Sequence, residues 1–125
     1  LKKNYKKEKI YDNNNIFAKI LRKEIPCDSL YEDDKVFFFN DINPQAKIHV
    51  LGIPKMQVIN FYDFIEKADQ VTVNYFFSKT NEVIKQLNLE KTGFRIITNN
   101  GKNSGQEVPH FHIHILGGEI LGGLN

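Results

Sequence analysis

The sequence has 125 residues with a single cysteine, and its 17 lysine and arginine side chains nearly balance 15 acidic ones. A chain of this length predicts one domain around one hydrophobic core. One cysteine excludes an internal disulfide and a cysteine-pair zinc or redox motif, which favours a reducing, cytoplasmic setting. No apolar run approaches the roughly 18 residues of a membrane span, so we expect no membrane association.

The positive charge is concentrated at the start of the chain. Five lysines and one acid, Glu8, fall in the first nine residues, and the rest of the chain holds 12 basic and 14 acidic side chains. The remainder is near neutral, so its composition does not predict nucleic-acid binding. We predict a basic, disordered arm at 1–14, without the apolar segment of a signal peptide, and a single domain at 15–125.

The first half of the chain predicts one helix and three strands. Residues 16–25 have apolar positions at helical spacing, with Asn13 to Asn15 as capping residues and Pro26 after the end. Residues 29–32 and 36–40 predict a hairpin, and 48–53 predict a third strand that Pro54 stops.

The second half predicts one long helix and two strands. Residues 63–87 keep a three- and four-residue apolar spacing, 94–98 are rich in β-branched residues, and 99–105 are dense in turn formers. The last predicted strand is 110–116. Helix, three strands, long helix and two strands together predict an α+β fold with an antiparallel sheet.

Three of the four histidines alternate with hydrophobic residues in the last strand. Because side chains alternate between the faces of a strand, His110, His112 and His114 are predicted to share one face, at intervals of about 6.6 Å. A solvated sheet face that merely tolerates histidine is a poor explanation for all three, because Val or Ile suits a strand better and unpartnered buried imidazoles are costly.

Two kinds of site remain for the three imidazoles. In a metal site, His-x-His supplies two nitrogens and Glu107 is a possible third ligand, although no spacing requires it. In a phosphoryl-transfer site, a neutral imidazole attacks phosphorus and the other histidines bind oxygens or move protons. Since the loop at 101–108 can offer backbone N–H groups to an anion, the pattern favours phosphorus.

The segment His110-Phe111-His112-Ile113-His114-Ile115-Leu116 matches without a gap the signature of the histidine-triad (HIT) nucleotide-binding family. Further segments resemble its Hint branch: 16–20, 24–26, 31–34, 41–46, 49–55 and 105–109. The resemblance covers residues 16–118. It implies a HIT-like fold with a five-stranded antiparallel sheet, one short N-terminal helix and one long helix, pairing into a homodimer.

The resemblance also implies a hydrolase of purine nucleoside phosphoramidates, such as adenylate joined to an amine, that needs no metal or other cofactor. His112 matches the nucleophile that takes the nucleotidyl group. His110 and His114 match flanking residues that contact the phosphate and help to transfer protons. His49 matches a fourth histidine that supports the nucleophile from the neighbouring strand.

For the AMP-like ligand, Asp41 matches a carboxylate that accepts the ribose hydroxyls. Five apolar residues match the slot for the base: Ile16, Phe17, Ile20, Phe39 and Ile42. Four residues match the phosphate-side loop, where amide groups suit an anion: Asn99, Gly105, Gln106 and Val108.

Two departures from the family pattern qualify these expectations. Some bacterial relatives hold a structural zinc with two cysteines, a histidine and the first triad histidine, but Asn15, Ala18 and Gln57 stand at the first three places here. We therefore predict no structural zinc. The tail 119–125 lacks the aromatic, proline-containing ending of eukaryotic relatives, which leaves the leaving-group preference open.

Two other functions stay open from the sequence. Dinucleoside polyphosphate hydrolysis uses the same chemistry but usually accompanies glutamine in place of the third triad histidine, which is His114 in this chain. A nucleotide-binding scaffold or sensor with incidental catalysis would share the same pocket.

Overall fold

The structure is a computed structural model that describes residues 10–124, so residues 1–9 of the predicted arm lie outside the described residues. Its elements in chain order are α1 (Ile16–Leu21), β1 (Asp28–Glu32), β2 (Val36–Asn40), β3 (Ile48–Pro54), α2 (Phe61–Lys67), α3 (Gln70–Gln86), β4 (Phe94–Ile97), a 3-10 turn (Lys102–Ser104) and β5 (Ile113–Gly117). The predicted α+β composition is confirmed.

The five strands form one sheet in the order β1-β2-β3-β5-β4, and every neighbouring pair is antiparallel. Strand β5 lies between β3 and β4 in the sheet, so β1 and β4 are the edge strands. The predicted antiparallel sheet is therefore confirmed, and β5, which contains His114, lies inside it.

One face of the sheet carries the main core. Phe38 and Ile113 lie on this face and are almost completely buried, and they pack with Phe76 of α3 and with Phe111. The rings of Phe64 and Phe111 stack at 4.9 Å between centroids. Since full burial of such a side chain contributes about 1.5–3 kcal/mol, this layer holds the helices against the sheet.

The opposite face carries a second cluster beneath α1. Phe39 and Leu51 are register partners and pack with Phe17 and Ile20 of α1. Leu51 is also the register partner of His114. Because cross-strand partners share a face, as do residues two apart in one strand, His49 and His114 both lie on the α1 face.

The first helix ends at Leu21, earlier than the predicted Ile25. Lys23 has a positive φ of 67°, and the N–H of Glu24 donates to the carbonyl of Lys19 at 2.9 Å. A left-handed residue with this backward hydrogen bond ends a helix and satisfies its last carbonyls. The predicted cap at the start is confirmed, because the Asn15 side chain accepts from the N–H of Ala18.

The single long helix predicted for 63–87 is two helices. Ala68 is extended, with φ −82° and ψ 148°, and the Asp69 side chain accepts from the N–H of Thr72 at 2.8 Å to start α3. An aspartate at the N-cap satisfies one of the unpaired N–H groups of a new helix. The apolar spacing continues across the break, which is why periodicity did not indicate it.

The last strand begins at Ile113, so His110 and His112 precede it. The N–H of Phe111 donates to the carbonyl of Val58 instead of to a sheet partner. The side chains nevertheless alternate, because Phe111 joins the main core while His110 and His112 both contact Phe17 on the α1 face. The predicted sharing of one side is confirmed although the strand is shorter.

Gly52 of β3 gives a test of this packing. A Cβ at this position would overlap Cε2 of the Phe38 ring, which is fully buried. We expect Gly52→Ala to lower the free energy of unfolding by about 1–3 kcal/mol, because overpacking displaces the ring. Urea denaturation measures the loss. Gly122→Ala, whose Cβ meets no atom within 4 Å, is the control, and equal stability of the two variants would contradict this account.

Candidate active site

A cavity of about 730 Å³ opens on the α1 face of the sheet. All ten residues predicted to contact a nucleotide line it: Ile16, Phe17, Ile20, Phe39, Asp41, Ile42, Asn99, Gly105, Gln106 and Val108. His112 and His114 line it as well, whereas His110 and His49 do not. The cavity therefore has an apolar wall along α1 and β2 and a polar end at the histidines.

Several lining residues were missed by sequence reasoning. Cys27, Asp28 and Asn40 line the cavity where β1 meets β2, and the Asn40 amide donates to the Asp28 carboxylate at 3.0 Å. Only the register that pairs Asp28 with Asn40 brings them to the cavity. Burial raises the pKa of the Cys27 thiol, which keeps it protonated and unsuited to a nucleophilic role.

Among residues 10–124, the contacts of His112 leave one of its ring nitrogens without a hydrogen-bond partner. Its Nδ1 lies 2.7 Å from the carbonyl oxygen of His110. Because a carbonyl can only accept, Nδ1 carries the proton and Nε2 carries the lone pair. The carbonyl of His112 itself accepts from the Thr98 hydroxyl at 2.7 Å, and the rings of Phe17 and His112 meet edge to face at 4.8 Å between centroids.

A hydrogen bond joins the rings of His49 and His114, and its direction can be assigned. The backbone N–H of Gln45 donates to Nδ1 of His49, so the proton of His49 is on Nε2, 2.9 Å from Nδ1 of His114 and 3.3 Å from Asp41. His114 must then accept at Nδ1 and hold its own proton on Nε2. His49 was predicted to support the nucleophile, but its ring contacts His114, which in turn packs against His112.

His110 lies behind the cavity wall. The side chain is completely buried, its Nε2–H donates to the carbonyl of Pro54 at 2.8 Å, and its Nδ1 accepts from the Tyr11 hydroxyl. Both ring nitrogens are therefore occupied. This differs from the phosphate contact that the family resemblance implies, because the imidazole does not reach the cavity.

Burial lowers the pKa of all four histidines. The pKa values of His110 and His114 fall to about 4, and neighbouring imidazoles add to the effect of burial. At His49 and His112 the Asp41 carboxylate opposes the effect of burial without overcoming it. All four imidazoles are accordingly neutral near pH 7, which is the form that a nucleophile at phosphorus requires.

Asp41, His49 and His114 place three potential metal-binding atoms within 4.8 Å of one another. His49 would have to ligate through Nε2, but that nitrogen carries the proton because Nδ1 accepts from Gln45. A metal there would need an imidazolate or the loss of that backbone hydrogen bond. The arrangement fits a proton-sharing pair better than a metal centre.

The loop at 101–108 is held by the side chain of Gln106. Its amide donates to the carbonyls of Ile59 and Val108, and its oxygen accepts from the N–H of Gly101. The side chain was predicted to suit an anion, but its polar atoms are used within the loop. Gln106 therefore shapes the rim of the cavity.

A protein-family model described as the HIT domain matches residues 22–120. The purine nucleoside phosphoramidase of Escherichia coli is 39% identical over 107 residues, covering 86% of this chain and 89% of that protein. A HIT-like protein of Rickettsia prowazekii is 44% identical, covering 92% of this chain and 96% of its own length.

Solved structures show the same fold. A histidine triad protein from Clostridium difficile superposes with a TM-score of 0.82 at 39% identity, covering 93% of this chain and all of that one. A HIT family hydrolase from Clostridium thermocellum gives 0.76 at 36% identity, over 88% of this chain and 95% of that one. Within residues 10–124, no helix has the length and apolar character that crossing a membrane requires.

The lowered histidine pKa values predict a pH dependence of stability. Unfolded imidazoles bind protons below about pH 6.5, whereas His110 and His114 in the folded chain do so only near 4. The unfolded state therefore binds more protons between these values, and the free energy of unfolding should fall as pH falls from 6.5 to 5. Urea denaturation at several pH values measures it. His114→Gln should reduce the slope, and a constant stability over this range would contradict the burial effect.

Proposed function

This chain belongs to the HIT domain family, among whose members are hydrolases, and we propose that it hydrolyses purine nucleoside phosphoramidates through a nucleotidyl intermediate on His112. The observation that carries the proposal is the free Nε2 of His112 at the polar end of the cavity, with the Nε2–H of His114 beside it. The phosphoramidase name of the Escherichia coli relative favours the same substrate class.

In the first step, the lone pair on Nε2 of His112 attacks phosphorus and the bond between phosphorus and the amine nitrogen breaks. The amine needs a proton to leave. The phosphate anion, once bound beside His114, raises the pKa of that imidazole and opposes the effect of burial. His114 then takes the proton of His49 at Nδ1, while Nδ1 of His49 gives up its hydrogen bond from Gln45 and takes up a proton from solvent. The His114 imidazolium then gives its Nε2 proton to the departing nitrogen.

In the second step, water replaces the amine. Neutral His114 accepts a proton from the water, the oxygen bonds to phosphorus, and the bond from phosphorus to Nε2 of His112 breaks. His112 leaves as a neutral imidazole, and the nucleotide dissociates with release of the extra proton. The hydrogen bond from Nδ1 of His112 to the His110 carbonyl holds the ring in one orientation during both steps.

The cavity walls support an AMP-like ligand. Phe17, Ile20 and Phe39 form a buried apolar surface suited to a purine. Asp41 lies between this surface and the histidines. Its Oδ1 accepts from the N–H of Asn43, whereas Oδ2 takes no part in that turn. We assign the ribose hydroxyls to that oxygen and the phosphate to the loop that includes Asn99, Gly105 and Val108.

The decisive test is trapping of the intermediate. Rapid denaturation at alkaline pH during turnover of a labelled adenosine phosphoramidate should leave the label on His112, because the bond from phosphorus to an imidazole nitrogen breaks in acid but survives in alkali. His112→Asn should lower turnover by at least about a thousandfold, because the nucleophile is lost. Gln86→Asn, at the exposed end of α3, is the matched control. Label on another residue, or normal turnover by His112→Asn, would exclude the mechanism.

Side-by-side rates distinguish this reaction from its two alternatives. Faster cleavage of the phosphoramidate than of a diadenosine polyphosphate supports the assignment, and the reverse order favours polyphosphate hydrolysis. Tight AMP binding with background turnover of both substrates favours a sensor or scaffold. The cytoplasmic location and the absence of a structural zinc stay predictions from the sequence.

The proposed homodimer is supported by the exposed edge strand β4. Phe94 and Ile96 lie on one side of this strand and are 41% and 43% exposed. An edge with unpaired backbone groups and exposed apolar side chains suits pairing with a second copy.

Sedimentation at micromolar concentration should therefore give a dimer, and Ile96→Lys should shift it towards monomer. Ile65→Lys, which replaces an equally exposed isoleucine of α2, serves as the control. A monomeric parent chain would refute the dimer.

A further inference from the structure

A short strap, residues 11–15, contacts His110 through Tyr11 and lies outside the region that the HIT family model matches. It belongs largely to the segment predicted as a disordered arm, yet it makes defined contacts. The Asp12 carbonyl accepts from the side chain of Asn15, the Asn13 carbonyl accepts from Arg22, and the Asn13 side chain accepts from Gln57. The strap is thus fixed at both α1 and the loop after β3.

The strap places Tyr11 against His110. The tyrosine hydroxyl bonds to Nδ1 of His110, and the two rings meet edge to face at 5.5 Å between centroids. Because Nε2–H of His110 donates to the Pro54 carbonyl, Nδ1 is unprotonated and needs a donor. Among residues 10–124, the Tyr11 hydroxyl is the group that supplies it.

His110 in turn holds the nucleophile. Its backbone carbonyl accepts the proton on Nδ1 of His112, while its ring is completely buried. A buried acceptor that loses its donor is destabilised, so the ring would change tautomer, rotate or admit water. Each of these changes moves the residue whose carbonyl selects the reactive nitrogen of His112.

We propose that Tyr11 is a positioning residue for the reaction: its hydroxyl fixes the tautomer and orientation of His110, and the His110 carbonyl thereby orients His112 for attack. The inference rests on the proposed function for its catalytic readout, but the hydrogen-bond chain itself does not depend on any substrate. Tyr11 touches neither the cavity nor the reacting atoms, so it acts only through His110.

Kinetics separate this role from simple packing. Tyr11→Phe keeps the ring and removes the hydroxyl, and we expect kcat to fall about tenfold to a hundredfold, as for other groups that orient a reacting residue. KM should stay within about twofold because the cavity walls are unchanged. Tyr62→Phe, at an exposed tyrosine, should leave both constants unchanged. Full kcat in folded Tyr11→Phe, or a change in KM alone, would overturn the proposal.

Nitrogen NMR of the imidazoles gives a substrate-free readout. In the parent chain, His110 should show a protonated Nε2 and an unprotonated, hydrogen-bonded Nδ1, and His112 should show a protonated Nδ1. Tyr11→Phe should shift Nδ1 of His110 and the Nδ1 proton of His112. A protonated Nδ1 on His110 in the parent chain overturns the proposal, even where the variant does not fold. A parent chain with these tautomers but without phosphoramidase activity would instead refute the proposed function.

Discussion

The hydrogen bond from Nδ1 of His112 to the carbonyl of His110 determines how the site is organised. It forms within one short stretch of chain, and it requires extended backbone that turns both imidazoles to one side. The other side of the same stretch is anchored by Phe111 in the main core. The packing of a phenylalanine therefore fixes the orientation of the nucleophile.

The two faces of the sheet differ in how completely they are covered. The face beneath α3 is filled with interlocked aromatic rings, and glycine at position 52 is the residue that lets Phe38 lie flat against β3. The α1 face is only partly covered, so a cavity remains between the helix and the histidines. A rigid core layer directly under an open layer is an arrangement that holds reactive groups in place.

Burial and hydrogen bonding determine two different properties of the histidines, the pKa of each ring and the nitrogen that carries its proton. Burial lowers their pKa values and keeps them neutral, while backbone groups choose the nitrogen that carries the proton. At His49 the N–H of Gln45 makes this choice, and at His112 the carbonyl of His110 makes it. The result is a lone pair on Nε2 of His112 facing the cavity and a proton on Nε2 of the adjacent His114.

The sequence by itself determined the strand alternation, the cap at Asn15, the family signature and ten of the residues that line the cavity, because these depend on near neighbours in the chain and on recurring motifs. Tertiary structure decided the rest. The break at Ala68 depends on a local cap that the apolar periodicity hides. The pairing of His49 with His114 depends on strand register, and the contact of Tyr11 with His110 joins residues 99 positions apart. Periodicity places a side chain on a face, but only packing decides which atoms meet there.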